Sequence, residues 1–166
     1  MHLNDQAGVS CVFAKYQNKL GNDVKVIKVS DDKYGIYEYY KDYVQLVRQD
    51  EFIEKSLQEA KYYDIIHVHS SYGMIFVLRK KYGTSKKLIL HYHGTDIRGL
   101  DNFEKRKREY NKNLLLLLLK IIKDKTKRKS INPSSLHRLA QIFSDHVLIS
   151  QKDLSDYVKN AEYIPI

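Results

Sequence analysis

Asp64-Ile65-Ile66-His67-Val68-His69 and Leu88-Ile89-Leu90-His91-Tyr92-His93-Gly94 decide the fold. Each is a short run of aliphatic and β-branched residues, of strand rather than helix length. Between them Met74, Ile75, Val77 and Leu78 mark a helix that ends near Gly83. Strand, helix and strand in this order make a βαβ unit, the building block of a parallel sheet. Runs that are apolar almost throughout suit strands covered by helices on both faces.

The same alternation continues outward. Val24–Val29 reads as a strand, preceded by a helix through Val9, Val12, Phe13, Tyr16 and Leu20 with Gly21 as its C-terminal cap. Asp50 can cap a helix carrying Phe52, Ile53, Leu57 and Ala60. Residues 31–47 are tyrosine-rich without a clean period and read as a loop. Toward the end, Asn132-Pro133 starts a helix with proline at its first position, and His146–Ile149 is a short strand. Ser150-Gln151-Lys152-Asp153 resembles a capping box opening a helix over Asp153–Asn160, and Tyr163–Ile166 begins one more strand. The expected architecture is α/β: a Rossmann-like, doubly wound parallel sheet with helices on both faces, forming a single domain over residues 1–166. Two features break the pattern. Only Met1-His2-Leu3 precede the polar Asn4-Asp5, so the first strand reads as clipped against a usual length of about 5–6 residues. Residues 99–131 fit no βαβ unit and read as a helical excursion. It holds Lys105, Arg106, Lys107 and Arg108, then Leu114–Leu119, then Lys125, Lys127, Arg128 and Lys129.

Composition narrows the class. The chain has 166 residues, with 29 Lys and Arg against 20 Asp and Glu, a net charge of +9. Hydrophobic residues make up 43%, enough for a core and too many for wholesale disorder. One cysteine, Cys11, excludes a disulfide framework. No apolar run reaches the roughly 18–20 residues that span a bilayer. The start has neither the charged nor the apolar region of a signal peptide. A soluble, cytoplasmic protein is expected, its basic surplus directed at phosphate-rich or membrane-surface partners.

Several residues could carry chemistry. Gly8, in the loop before the first helix, lets backbone N–H groups approach a phosphate at the helix N-terminus; a plain tight turn is the competing reading. His67-x-His69 and His91-x-His93 each put two imidazoles on one strand face, near the carboxyl ends where open α/β sheets bind ligands. Imidazole can move protons, hold phosphate or bind a metal, so zinc held by these histidines is a rival. Burial with simple hydrogen bonding suits His67 and His91, whereas His93 is followed by Gly94-Thr95-Asp96 and reads as functional. Gly94 allows close approach to the backbone, Asp96 can accept from sugar hydroxyls, and Arg98 offers a phosphate-binding fork. Cys11 reads as a small buried hydrophobe, and Ser70 and Ser71 as helix caps. The basic, leucine-rich segment fits an anionic membrane surface or a protein partner equally well, and no nucleic-acid-binding module is recognisable.

Asn4-Asp5…Gly8…Leu20-Gly21-Asn22-Asp23-Val24-Lys25-Val26-Ile27, together with Asp64–His69 and His91-Tyr92-His93-Gly94-Thr95-Asp96-Ile97-Arg98, resembles the N-terminal domain of GT-B glycosyltransferases of family 4. So does Asp145–Ser150 followed by Ala161–Pro165. The resemblance implies a retaining transfer of sugar from a nucleotide-sugar, as co-substrate, to a glycan or lipid-linked acceptor. It implies no bound metal and no other cofactor. It places Gly8 against the donor diphosphate, makes His93 the catalytic residue beside the transferred sugar, and has Gly94, Thr95, Asp96 and Arg98 shape the same pocket. Residues 1–166 then correspond to the acceptor-side half, with the donor-binding domain absent and supplied by a partner chain. Such enzymes often work peripherally at the cytoplasmic membrane face. Alternatives are an inactive orphan binding domain and a metal-dependent hydrolase built on His67, His69, His91 and His93.

Overall fold

A computed structural model describes residues 1–5, 8–30, 41–94, 96–98, 133–158 and 160–165. In chain order the elements are β1 (His2–Leu3), α1 (Val9–Lys19), β2 (Val26–Val29), β3 (Val44–Val47), α2 (Phe52–Ala60), β4 (Ile65–His69) and α3 (Gly73–Tyr82). Then follow β5 (Lys87–Tyr92), α4 (Pro133–Phe143), β6 (His146–Ile149), a 3-10 helix (Lys152–Asp156) and β7 (Glu162–Tyr163). The seven strands of the described residues form one sheet in the order β3-β2-β1-β4-β5-β6-β7, and every pairing is parallel. This is the doubly wound order, with its switch point between β1 and β4. The short first strand is confirmed as two residues, His2 paired with Val26 and His67, and Leu3 with Ile27 and Val68.

The faces differ in chemistry. Leu3, Ile27, Ile66, Val68, Leu88 and Leu90 share the main core with residues of α2, α3 and α4. Neighbouring strand residues alternate faces, so His2, Val26, His67, His69 and His91 line the opposite side. There α1 packs through the small, fully buried Ser10, Cys11 and Ala14. The stripe Val12, Tyr16 and Leu20, expected to mark the helix face, is turned to solvent instead. Small residues win the inward position because α1 must lie close over a row of imidazoles. Phe13 reaches across, its ring 6.1 Å from His2, 5.9 Å from His67, 6.3 Å from His69 and 6.1 Å from His91.

Other local expectations are corrected. Residues 31–47 are not loop throughout, because Val44–Val47 pairs with β2 as an edge strand. Asp50 does not cap α2; it takes the Arg48 guanidinium, and Glu51 precedes the helix without a side-chain cap. Ser70 and Ser71 do not cap α3, whose N-cap is Tyr72. The proposed capping box opens a 3-10 helix over Lys152–Asp156, with no side-chain cap, rather than an α-helix to Asn160. The excursion at 99–131, with its basic residues Lys105–Arg108 and Lys125–Lys129, lies outside the described residues, as does Thr95. Among the described residues no helix is long and apolar enough to cross a membrane.

Candidate functional site

Three consecutive strand tips meet at the switch point, and each carries backbone that most residues avoid. Asn4 follows β1 at φ 67°, Ser70 follows β4 at φ 58°, and Gly94 lies two residues beyond β5 at φ 117°. Left-handed non-glycine residues cost on the order of 1–3 kcal/mol each and persist only where the surroundings enforce them. Asn4 is enforced by its own amide, which donates to the His69 carbonyl at 3.3 Å and to Ser71 Oγ at 3.2 Å. Ser70 donates its N–H to the His91 carbonyl at 3.0 Å, while its buried hydroxyl has no partner among the described residues. At Gly94 the φ of 117° disfavours any side chain, and a Cβ would meet Arg98 Nη1 at 2.8 Å, so the Arg98 guanidinium would have to shift to admit one.

The loop around Gly8 is organised by a carboxylate. Gly8 is the N-cap of α1 at φ 82°. Asp5 accepts the Ser10 N–H at 2.9 Å, the Cys11 thiol at 3.4 Å and the Lys28 ammonium at 3.3 Å. Asp5 and Lys28 are almost wholly excluded from water, making this a buried ion pair that also caps α1. Burial and the neighbouring Asp5 charge push the Cys11 thiol up to about 12, which removes it as a nucleophile.

After β5, Asp96 turns back and accepts the N–H groups of His93 at 3.2 Å and of Gly94 at 2.8 Å. Its carboxylate therefore holds the turn that presents His93. The Arg98 fork is bidentate on Asp153, at 2.9 and 2.8 Å, and also meets Gln151. Both residues follow β5 closely, and each is engaged within the protein.

Five histidines form the centre of the site. His67, His69, His91 and His93 come from the two H-x-H patterns; His2 joins them because β1 pairs in register with β4, setting His2 beside His67. The rings of His67 and His69 lie 4.2 Å apart, as do those of His91 and His93. The hydrogen bonds form a single chain. Gln17 Oε1 lies 2.7 Å from His2 Nε2, His2 Nδ1 lies 3.0 Å from His69 Nε2, and His69 Nδ1 lies 3.0 Å from His93 Nε2. His93 Nδ1 is 2.8 Å from Ser150 Oγ, which is 3.0 Å from His91 Nε2, and His91 Nδ1 is 3.2 Å from His67 Nε2. With the Gln17 carbonyl oxygen as acceptor and every ring neutral, each histidine must carry its proton on Nε2.

Neutral rings are what burial enforces. Desolvation lowers His2 to about 4 and His91 to about 3, the latter helped by the neighbouring His93 and His2. His67 and His69 are held well below the ordinary value by desolvation and by one another. His93 is lowered by desolvation and partly restored by the Asp96 and Asp5 carboxylates. His93 is half-buried, whereas the other four are buried. His67 and His91 are buried and hydrogen-bonded, as expected of them. His2, Ser150 and Gln17 were not legible as site residues, since no local pattern marks them. The signal for His2 was its place in a strand whose partner carries histidines.

No family model matches this chain, and neither the curated proteins nor the solved structures contain a match to it.

Proposed function

We propose that the domain is the acceptor-side half of a GT-B-type glycosyltransferase. It moves a sugar from a nucleotide-sugar to a glycan or lipid-linked acceptor, with retention, together with a donor-binding body. One observation carries this reading: strained or glycine-only backbone at the tips of β1, β4 and β5 converges on the switch point, where doubly wound sheets bind ligands. His93 is the half-buried member of the histidine row and lies just beyond the end of β5, which supports its contact with the sugar. The +9 charge and the basic segment 105–129 suit a lipid-linked acceptor at an anionic, cytoplasmic membrane face. The test is an amide-resonance titration with nucleoside diphosphates and nucleotide-sugars. Saturable shifts at Gly8, His93 and Gly94, weakened in His93→Ala, are expected. Absence of any shift at millimolar ligand would refute the proposal.

A second reading, an orphan binding domain without transfer, is favoured by the internal engagement of Asp96 and Arg98. Binding shifts with no sugar transfer, even when a donor-binding domain is added, would select it.

A further inference from the structure

We infer that His69, His91 and His93 form a binding site for a divalent transition metal of the zinc class. This goes beyond sugar transfer, does not depend on it, and departs from the expectation of a metal-free site. One ring nitrogen from each of the three lies within 4.8 Å of the other two. The closest pair, His69 Nδ1 and His93 Nε2, face one another at 3.0 Å. Two imidazoles on one zinc at tetrahedral angles have nitrogens about 3.3 Å apart, so this pair needs to open by only a few tenths of an ångström. The ion replaces the shared proton: His93 moves its hydrogen from Nε2 to Nδ1, where Ser150 Oγ, 2.8 Å away, accepts it and turns its own O–H away, and His91 frees one ring nitrogen for the ion by giving up its bond to Ser150 Oγ or to His67 Nε2.

The outer partners of a metal centre are also present. His69 keeps its other nitrogen on His2, and His2 is anchored by Gln17. Such partners fix ring orientation. All three ligands stand on or just beyond β4 and β5, in the rigid centre of the sheet. A second group, His2, His67 and His69, is equally close-set, and its His2 and His67 line a cavity of about 400 Å³ with Met1, Gln17 and Asp64, whereas the first group is reached through the half-buried His93. Three imidazoles leave a fourth position open, the ligand count of sites that exchange water or substrate.

The test uses the whole chain, stripped with chelator and titrated with Co(II) for its visible spectrum and with Zn(II) against a chromophoric chelator. The expected result is one equivalent bound with tetrahedral cobalt absorption. Affinity should fall by at least about 100-fold in H93Q and H91Q, and by about 10- to 100-fold in H2Q, which only positions His69. H146Q, on an exposed histidine, should bind as the parent does. Circular dichroism confirms that each variant folds; H93N serves if H91Q does not. Lack of a saturable equivalent overturns the proposal. Binding that survives H93Q and H91Q but is lost in H67Q also overturns it, because the ion would then sit in the other triad.

Discussion

Lowering the pH below 6.5 should unfold this protein unusually early. His2, His91 and His137 are each almost fully buried, and desolvation brings them from 6.5 to about 4, about 3 and about 4. His2 is faced by His67, His69 and Asp5; His91 by His67 and His93; His137 lies against Tyr72 and hydrogen-bonds to Tyr92. Between pH 6.5 and 4 the unfolded chain binds a proton at each of these positions and the folded chain does not. The contribution of these histidines is therefore complete above pH 6.5 and declines as pH falls, by about 1.4 kcal/mol per pH unit for each. At pH 5 that is about 2 kcal/mol each and about 6 kcal/mol for the three, against a total stability of about 5–15 kcal/mol for a domain. His67, His69 and His93 act in the same direction. Asp145, lowered from 3.8 as its hydrogen bonds from Leu88 N–H and Arg79 outweigh desolvation, titrates only at more acid pH and leaves this window clear. The assay is thermal unfolding by circular dichroism from pH 8 to 4.5, with chelator present to keep metal off the rings. Midpoints should fall slightly from pH 8 to 7, where the buried Met1 ammonium, lowered from 8.0 to about 6 by desolvation, begins to cost stability, then drop by more than about 10 °C at pH 5. A midpoint that moves by less than about 3 °C over that range would refute the reasoning, because the rings would then titrate normally in the fold.

Three further outcomes are expected. Asp5→Ala removes the buried carboxylate that faces the Lys28 ammonium and accepts the Ser10 N–H of α1, at a cost of about 3–5 kcal/mol read as a lower unfolding midpoint. Gly94→Ala meets both a positive φ and the Arg98 guanidinium; a loss of about 1–3 kcal/mol, eased by Arg98→Ala in the same chain, distinguishes steric from purely conformational strain. Cys11 should resist thiol reagents in the folded protein and react stoichiometrically in denaturant, and fast labelling of the native state would contradict its burial against Asp5.

Much of the architecture was legible because strand and helix periods are local properties. Val26–Val29, Ile65–His69, Lys87–Tyr92 and His146–Ile149 stand close to where apolar runs put them. Errors fell where tertiary contact overrides local signal. Val44–Val47 is a strand because β2 offers it an edge, not because its tyrosine-rich surroundings favour one. The outward turn of Val12, Tyr16 and Leu20 follows from the close approach of α1 to the sheet, which a hydrophobic stripe alone does not reveal. At the site, the two H-x-H patterns announced four imidazoles on one side of neighbouring strands.

The parallel α/β class is carried by the sequence alone, since it follows from period and order along the chain. Long-range packing adds His2, Gln17 and Ser150 to the histidine row, because strand register and the seating of α1 on the sheet bring together residues 15 to 67 positions apart. It also decided that the rings are neutral, because the lid of α1 and Phe13 removes the water that would otherwise keep them near 6.5.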